Sequence, residues 1–130
     1  MSVFKDQATF MEACDQHFGV TRDINQSVMY RDLIDEESEE LDMACTLKDK
    51  VDAGLDIIVV TIGYLLSEGV PAAVLEECWR EVIGTNMAKI DPATGKVRKR
   101  ADGKVLKPEG WKPPDLAAIL ERHGLKANEP

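Results

Sequence analysis

Apolar residues recur at helical rather than alternating spacing along most of this chain. In DQATFMEACDQHFG (6–19), Phe4, Ala8 and Met11 fall on one face together with Asp15, Phe10, Cys14 and Phe18 lie beside them, and Gly19 is the expected stop. A polar loop follows, and a second helix is expected from Ser27 as N-cap, with Met29, Leu33, Glu40 and Ala44 at helical spacing. LKDKVDAGLDIIVVTIGYLLSEG (47–69) has a β-branched centre that would also suit a strand. Its apolar stretch is long and no partner strand is evident, so it reads as a buried helix ended by Gly69. PAAVLEECWREVIGTNMAKID (71–91) opens with Pro71 at a first-turn position and continues as a fourth helix through Ala73, Glu76, Glu77, Arg80, Ile83 and Gly84.

Beyond Asp91 the pattern breaks. PATGKVRKRADGKVLKPEGWKPP is rich in Gly, Pro, Lys and Arg, with Ala-Thr-Gly and Ala-Asp-Gly turn signals suited to a short hairpin. PPDLAAILERHG then reads as a short helix between Asp115 and Gly124. No internal repeat is visible. The expected architecture is all-α: a four-helix bundle-like core at 1–92, and a basic extension at 93–130 packed on the same domain.

Composition agrees with a helical core. Hydrophobic residues make up 44% of the 130 positions but aromatics only 5%, so the core must be aliphatic. Charge is uneven: residues 1–95 carry 19 acids against 7 bases, whereas residues 96–130 carry 9 bases against 5 acids. An acidic body with a basic tail argues against a nucleic-acid polymer as partner, since a basic patch would dominate such a binder. Cys14, Cys45 and Cys78 form no CxxC or Cys/His cluster, which excludes a zinc motif; they are expected as reduced, buried, small apolar residues of a cytoplasmic protein. MSVFKDQATF has no apolar signal region, and IIVVTIGYLL is too short to span a bilayer, so no membrane role is expected.

The densest chemistry lies in RDLIDEESEELDM (31–43), which holds seven carboxylates in thirteen positions. Glu36, Glu37 and Glu40 form E-E-x-x-E, at i,i+3 and i,i+4 helical spacing, on the stripe that also carries Met29, Leu33 and Leu41. Asp32, Asp35, Glu39 and Asp42 point more nearly away and are expected to be solvated. Asp52 and Asp56 are a second i,i+4 pair, and Asp56 opens directly into the apolar run. Carboxylates on a core-facing stripe repel one another unless a cation compensates them. Oxygen-only ligands would favour Mg²⁺ or Mn²⁺. A solvated acidic helix with capping aspartates is the alternative reading.

EESEEL followed by DAGLDIIVVTIG resembles the all-α nucleoside triphosphate pyrophosphohydrolases, the MazG-like group that includes phosphoribosyl-ATP pyrophosphohydrolase and dimeric dUTPases. EVIGTNMAKID and RADGKVLKPEGWKPPDL extend the likeness over roughly residues 28–120 to a bacterial and phage subgroup. The family signature is E-E-x-x-E followed by E-x-x-D on the next helix. Here the DIIVVTIG match places Asp56 in the aspartate slot, Ala53 stands where the glutamate would be, and Asp52 is the neighbouring substitute; Asp49 and Asp52 as a D-x-x-D pair is the alternative. The resemblance implies hydrolysis of a (d)NTP, with dUTP a first guess, to the monophosphate and pyrophosphate. It implies Glu37, Glu40, Asp52 and Asp56 as metal ligands, with Glu36 and Glu37 as catalytic carboxylates. It implies Asn86, Lys89, Lys104 and Lys107 as substrate-binding groups, and a homodimer or homotetramer. Trp111 reads as an anchor for the tail, and His17 and His123 as structural or exposed. A metal- or nucleotide-binding regulatory module, weakened by Ala53, is the competing function.

Overall fold

The computed structural model describes residues 2–130. It is predominantly helical, with α1 Val3–Ala13, α2 Ile24–Met43, α3 Leu47–Ser67, α4 Ala72–Met87 and α5 Leu116–Arg122, and a two-stranded antiparallel sheet of β1 Ile90–Asp91 and β2 Lys96–Val97. Two compact units divide the chain inside α4, Met1–Leu75 and Glu76–Pro130.

In the first unit each helix begins on a capping side chain. Ser2 accepts from Lys5 N in α1, Asp23 from Gln26 N in α2, and Thr46 from Asp49 N in α3. The cap of α2 is therefore Asp23 rather than Ser27. Ser27 lies inside the first turn, buried, and its hydroxyl donates to Glu68 Oε2 at 2.6 Å. Helix α1 also ends earlier than the Gly19 stop. Asp15 adopts the left-handed conformation, φ 55°, and breaks the helix just after its Cys14 cap. Gly69, at φ 93°, does follow α3 as its expected stop. Pro71 sits one residue ahead of α4, its carbonyl accepting from Leu75 N.

Helices α2 and α3 run antiparallel and α1 packs against α3. Polar latches join the start of α2 to the end of α3: Asp23 N donates to Ser67 O at 2.9 Å, Gln26 Nε2 to Ser67 Oγ at 2.8 Å, and Arg22 pairs with Glu68. Further along, Tyr30 lies against Gly63. The core is Met11, Tyr30, Val60, Ile62, Leu66 and Leu75, with Phe4, Leu33 and Ile34 packed against it. The β-branched run is thus helical, as its length implied. The cysteines depart from expectation: Cys14 and Cys45 are exposed and Cys78 half-buried, because the first two lie at a helix end and in an interhelical loop. Among the described residues no single helix is long and apolar enough to cross a membrane.

In the second unit, Ile90 pairs with Val97 and Asp91 with Lys96 across the first turn. A further turn follows, with Lys99 bridging to Val105 and Leu106 N donating to Arg98 O at 2.7 Å. Gly95 and Gly103 supply the positive φ of these two turns, 69° and 89°. Helix α5 starts on Asp115, and Glu77 of α4 holds its far end through Arg122 and His123.

A Cβ built on Gly63 would lie 2.3 Å from Tyr30 Cε1. The ring cannot swing away freely, because its hydroxyl donates to Gln16 Oε1 at 2.6 Å. Gly63→Ala is expected to destabilise the protein by about 1–3 kcal/mol through overpacking, despite alanine's better helix propensity. The midpoint of urea unfolding measures it.

Candidate functional site

The α2–α3 hairpin is latched by hydrogen bonds at one end and packed on apolar side chains at its centre. Its other end is acidic. There an open groove of about 470 Å³ is lined by Glu36, Glu39 and Glu40 from α2 and by Asp49, Asp52 and Ala53 from α3. Antiparallel pairing produces this, since acids late in α2 must meet acids early in α3.

Glu37 and Asp56 complete the acidic set through the field they share. The Glu37 carboxyl is raised from its ordinary pKa, first by desolvation, then by a hydrogen bond to Glu40 that only the protonated form can make, then by the charges of Glu40, Asp56 and Glu36. Its Oε2 is shielded from solvent and has no hydrogen-bond partner. A buried carboxylate oxygen without a donor is costly, and a cation is the partner that answers both the missing bond and the neighbouring charges. The donor set therefore fits a hard cation. As the side chains stand, no group of three or more His, Cys, Asp or Glu among the described residues is gathered tightly enough to hold one. Like charges separate when nothing neutral or positive lies between them.

The inward stripe is narrower than its spacing implied. Only Glu37 is shielded, whereas Glu36 and Glu40 are exposed along the groove. Glu39, expected to be solvated and apart, faces the same groove, as does Asp49. Asp49 pairs with Asp52 at D-x-x-D spacing, an alternative reading of the second acidic pair in the sequence, and both line the groove. Glu39 carried a signal, since it lies i,i+3 from Glu36. Asp35 is drawn off by Arg31 at 3.0 Å. Ala53 is buried, 4% exposed, although it borders the groove.

The basic candidates belong to the second unit. Helix α4 ends at Met87, so Lys89 lies in the turn beyond it rather than on the helix, yet its ammonium still donates to Asn86 Oδ1 at 3.1 Å. Lys89 Nζ and Lys107 Nζ stand 5.1 and 4.9 Å from the centre of the Trp111 ring. Lys104 sits exposed in the second turn, where its N–H donates to Asp102 Oδ1. Arg100 is already paired with Asp102 at 2.6 Å, and that guanidinium holds the Asp102 carboxyl below its usual pKa. His17 contacts the Thr21 carbonyl and His123 bonds Glu77 at 2.7 Å, so both are structural.

Fold and site together define a predominantly helical protein with an acidic groove between antiparallel helices and a basic C-terminal region. The family model described as Phosphoribosyl-ATP pyrophosphohydrolase matches residues 12–86, more than half of the chain, and the chain belongs to that hydrolase family. The match contains all of α2 and α3 and ends at Asn86, ahead of Lys89, Lys104, Lys107 and Trp111. No curated protein matches the chain.

Glu37→Gln removes one charge from the crowded set and keeps a side chain of the same size. In EDTA the variant is expected to melt at a higher temperature than the wild type. The wild type alone should lose stability as pH rises through the raised Glu37 pKa, because above it the folded state must hold the ionised carboxylate. Scanning calorimetry across the carboxylate range, without divalent ions, checks both.

Proposed function

We propose that the protein is a Mg²⁺-dependent nucleoside triphosphate pyrophosphohydrolase that converts a (d)NTP, with dUTP the first candidate, to the monophosphate and pyrophosphate. The shielded, unpartnered Glu37 Oε2 among neighbouring acids carries this reading, because it needs a cation where the family places its acidic signature. Glu37, Glu40, Asp52 and Asp56 would hold the ion, Mg²⁺ or Mn²⁺. When bound, the ion supplies positive charge to the phosphate oxygens.

The chain's own groups do the rest. We assign Glu36, exposed along the groove, to accept a proton from the attacking water. One water is consumed, the anhydride bond between the α- and β-phosphates breaks, and pyrophosphate leaves. Asn86 offers an amide and Lys89, Lys104 and Lys107 offer ammonium groups to the polyanion. A pyrophosphate-release assay over dUTP, dCTP, dGTP and the ribonucleotides tests the proposal. Activity should require Mg²⁺ or Mn²⁺, and Glu36→Gln, Glu37→Gln and Glu40→Gln should each lower kcat by roughly 100-fold or more. No hydrolysis of any member of the panel would sink it.

Ala53 supports a second reading, a nucleotide- or metal-binding regulatory module with weak catalysis. A buried alanine occupies the position of the family's glutamate, leaving the exposed Asp52 to serve in its place. Ala53→Glu distinguishes the two: a large rise in turnover favours the module, and unchanged or lower turnover favours Asp52 as a working substitute.

We also propose that the protein is a homodimer or homotetramer. Val51, Leu55 and Ile58 form an i,i+4,i+7 stripe on α3, each more than half exposed. Leu55→Lys with Ile58→Lys is expected to shift the mass in analytical ultracentrifugation to that of the single chain.

A further inference from the structure

Two lysine ammonium groups gather around the Trp111 ring. Its indole N–H donates to Thr85 O at 2.7 Å, a carbonyl in the last turn of α4 that the helix itself leaves open. The turn Pro108–Trp111 closes with Trp111 N donating to Pro108 O at 3.1 Å, and Gly110 takes the φ of 76° it demands. Lys107 thereby returns across the ring from one side of the turn, while Lys89 reaches it from the end of α4 with its ammonium also tied to Asn86.

Two ammonium groups near one ring are an unusual pairing. Each is drawn to the negative π-face, yet they repel each other over a distance that salt does not fully screen. The ring holds them there nevertheless, with Lys107 exposed and Lys89 half-buried. An anion relieves the repulsion without disturbing the ring contacts. Its preferred form is an extended polyanion, which can meet two separated point charges at once. The tether to Thr85 gives the ring a fixed position, so neither lysine must lose its full side-chain freedom when the anion arrives.

We propose that Trp111 is a positioning residue, which sets Lys89 and Lys107 as a paired clamp for the phosphate chain of the substrate. The inference rests on the pyrophosphohydrolase reading given above, and it concerns residues beyond the segment that the family match covers. Trp111 does not touch reacting atoms in this scheme. It acts through the two ammonium groups.

The test uses the full chain and inorganic tripolyphosphate as probe. With Trp79→Phe, Trp111 is the sole tryptophan, and its emission should change saturably as tripolyphosphate binds the ammonium groups held beside the ring. Lys89→Ala or Lys107→Ala should shift that change to about tenfold higher tripolyphosphate. By calorimetry, Trp111→Ala should weaken tripolyphosphate binding about tenfold, because both lysine side chains must then be ordered as the anion arrives. Lys107→Ala added to Trp111→Ala should weaken it little further, because the two act as a unit. In the hydrolysis assay KM should rise by the same factor with kcat nearly unchanged. Trp111→Phe keeps a π-face without the N–H and should restore most of the binding. That variant also guards against Trp111→Ala failing to fold. If Trp111→Ala and Trp111→Phe melt at lower temperature but bind tripolyphosphate as the wild type does, the ring only caps α4 and the inference is overturned while the hydrolase reading stands. If the wild type neither binds tripolyphosphate nor hydrolyses any nucleotide, the reading itself is lost and the clamp with it.

Discussion

The close approach of α2 and α3 at Tyr30 and Gly63 governs the first unit. A glycine is required there because the ring occupies the place of a Cβ, and the ring is held by its hydroxyl to Gln16. Once the helices meet at that point, their registers follow. The start of α2 must bond the end of α3, through Asp23, Gln26 and Ser67, and the end of α2 must face the start of α3. Packing energy at the centre thus forces acids together at the far end, where electrostatics alone would drive them apart.

That conflict explains the character of the groove. Glu37 keeps a shielded oxygen with no donor, and its carboxyl resists ionisation because of desolvation and the charges around it. Ordinary folding would favour a neutral residue at such a place. Several carboxylates retained at such a place fit the cation site proposed above, because a bound cation would offset their repulsion. The same crowded residues are the ones that the sequence resemblance picks out as an acidic signature.

The second unit shows the opposite sign and the same kind of tension. Glu77 gathers Arg122 and His123, and Asp102 gathers Arg100, so these bases are satisfied internally. Lys89 and Lys107 stand beside the Trp111 ring and Lys89 also meets the Asn86 amide, and among the described residues neither is in an ion pair with a carboxylate. Charge that the fold has already neutralised cannot attract a polyanion, whereas charge held on an aromatic face still can. Which bases are committed and which stay available is therefore a more informative quantity than the total of nine bases in residues 96–130.

The helices were legible in the sequence because their periodicity and caps are local. Asp115, Gly69 and Gly124 mark ends through contacts within a few residues, and E-E-x-x-E needs only a helix to bring its acids to neighbouring turns. What local spacing could not tell was decided across long separations. Ser27 reads as a cap but is claimed by Glu68, forty-one residues away, so Asp23 takes its role. Glu39 and Asp49 join the groove only because of how α3 is turned against α2. Trp111 reads as a tail anchor, but its reach to Thr85 and the pair of lysines it collects exist only once the two turns have folded. The sequence by itself determined which segments are helical and which acids share a turn, because backbone geometry repeats every few residues. Which faces meet, and which charges are left without partners, only the tertiary structure decided, because burial and desolvation depend on neighbours the chain brings from far away.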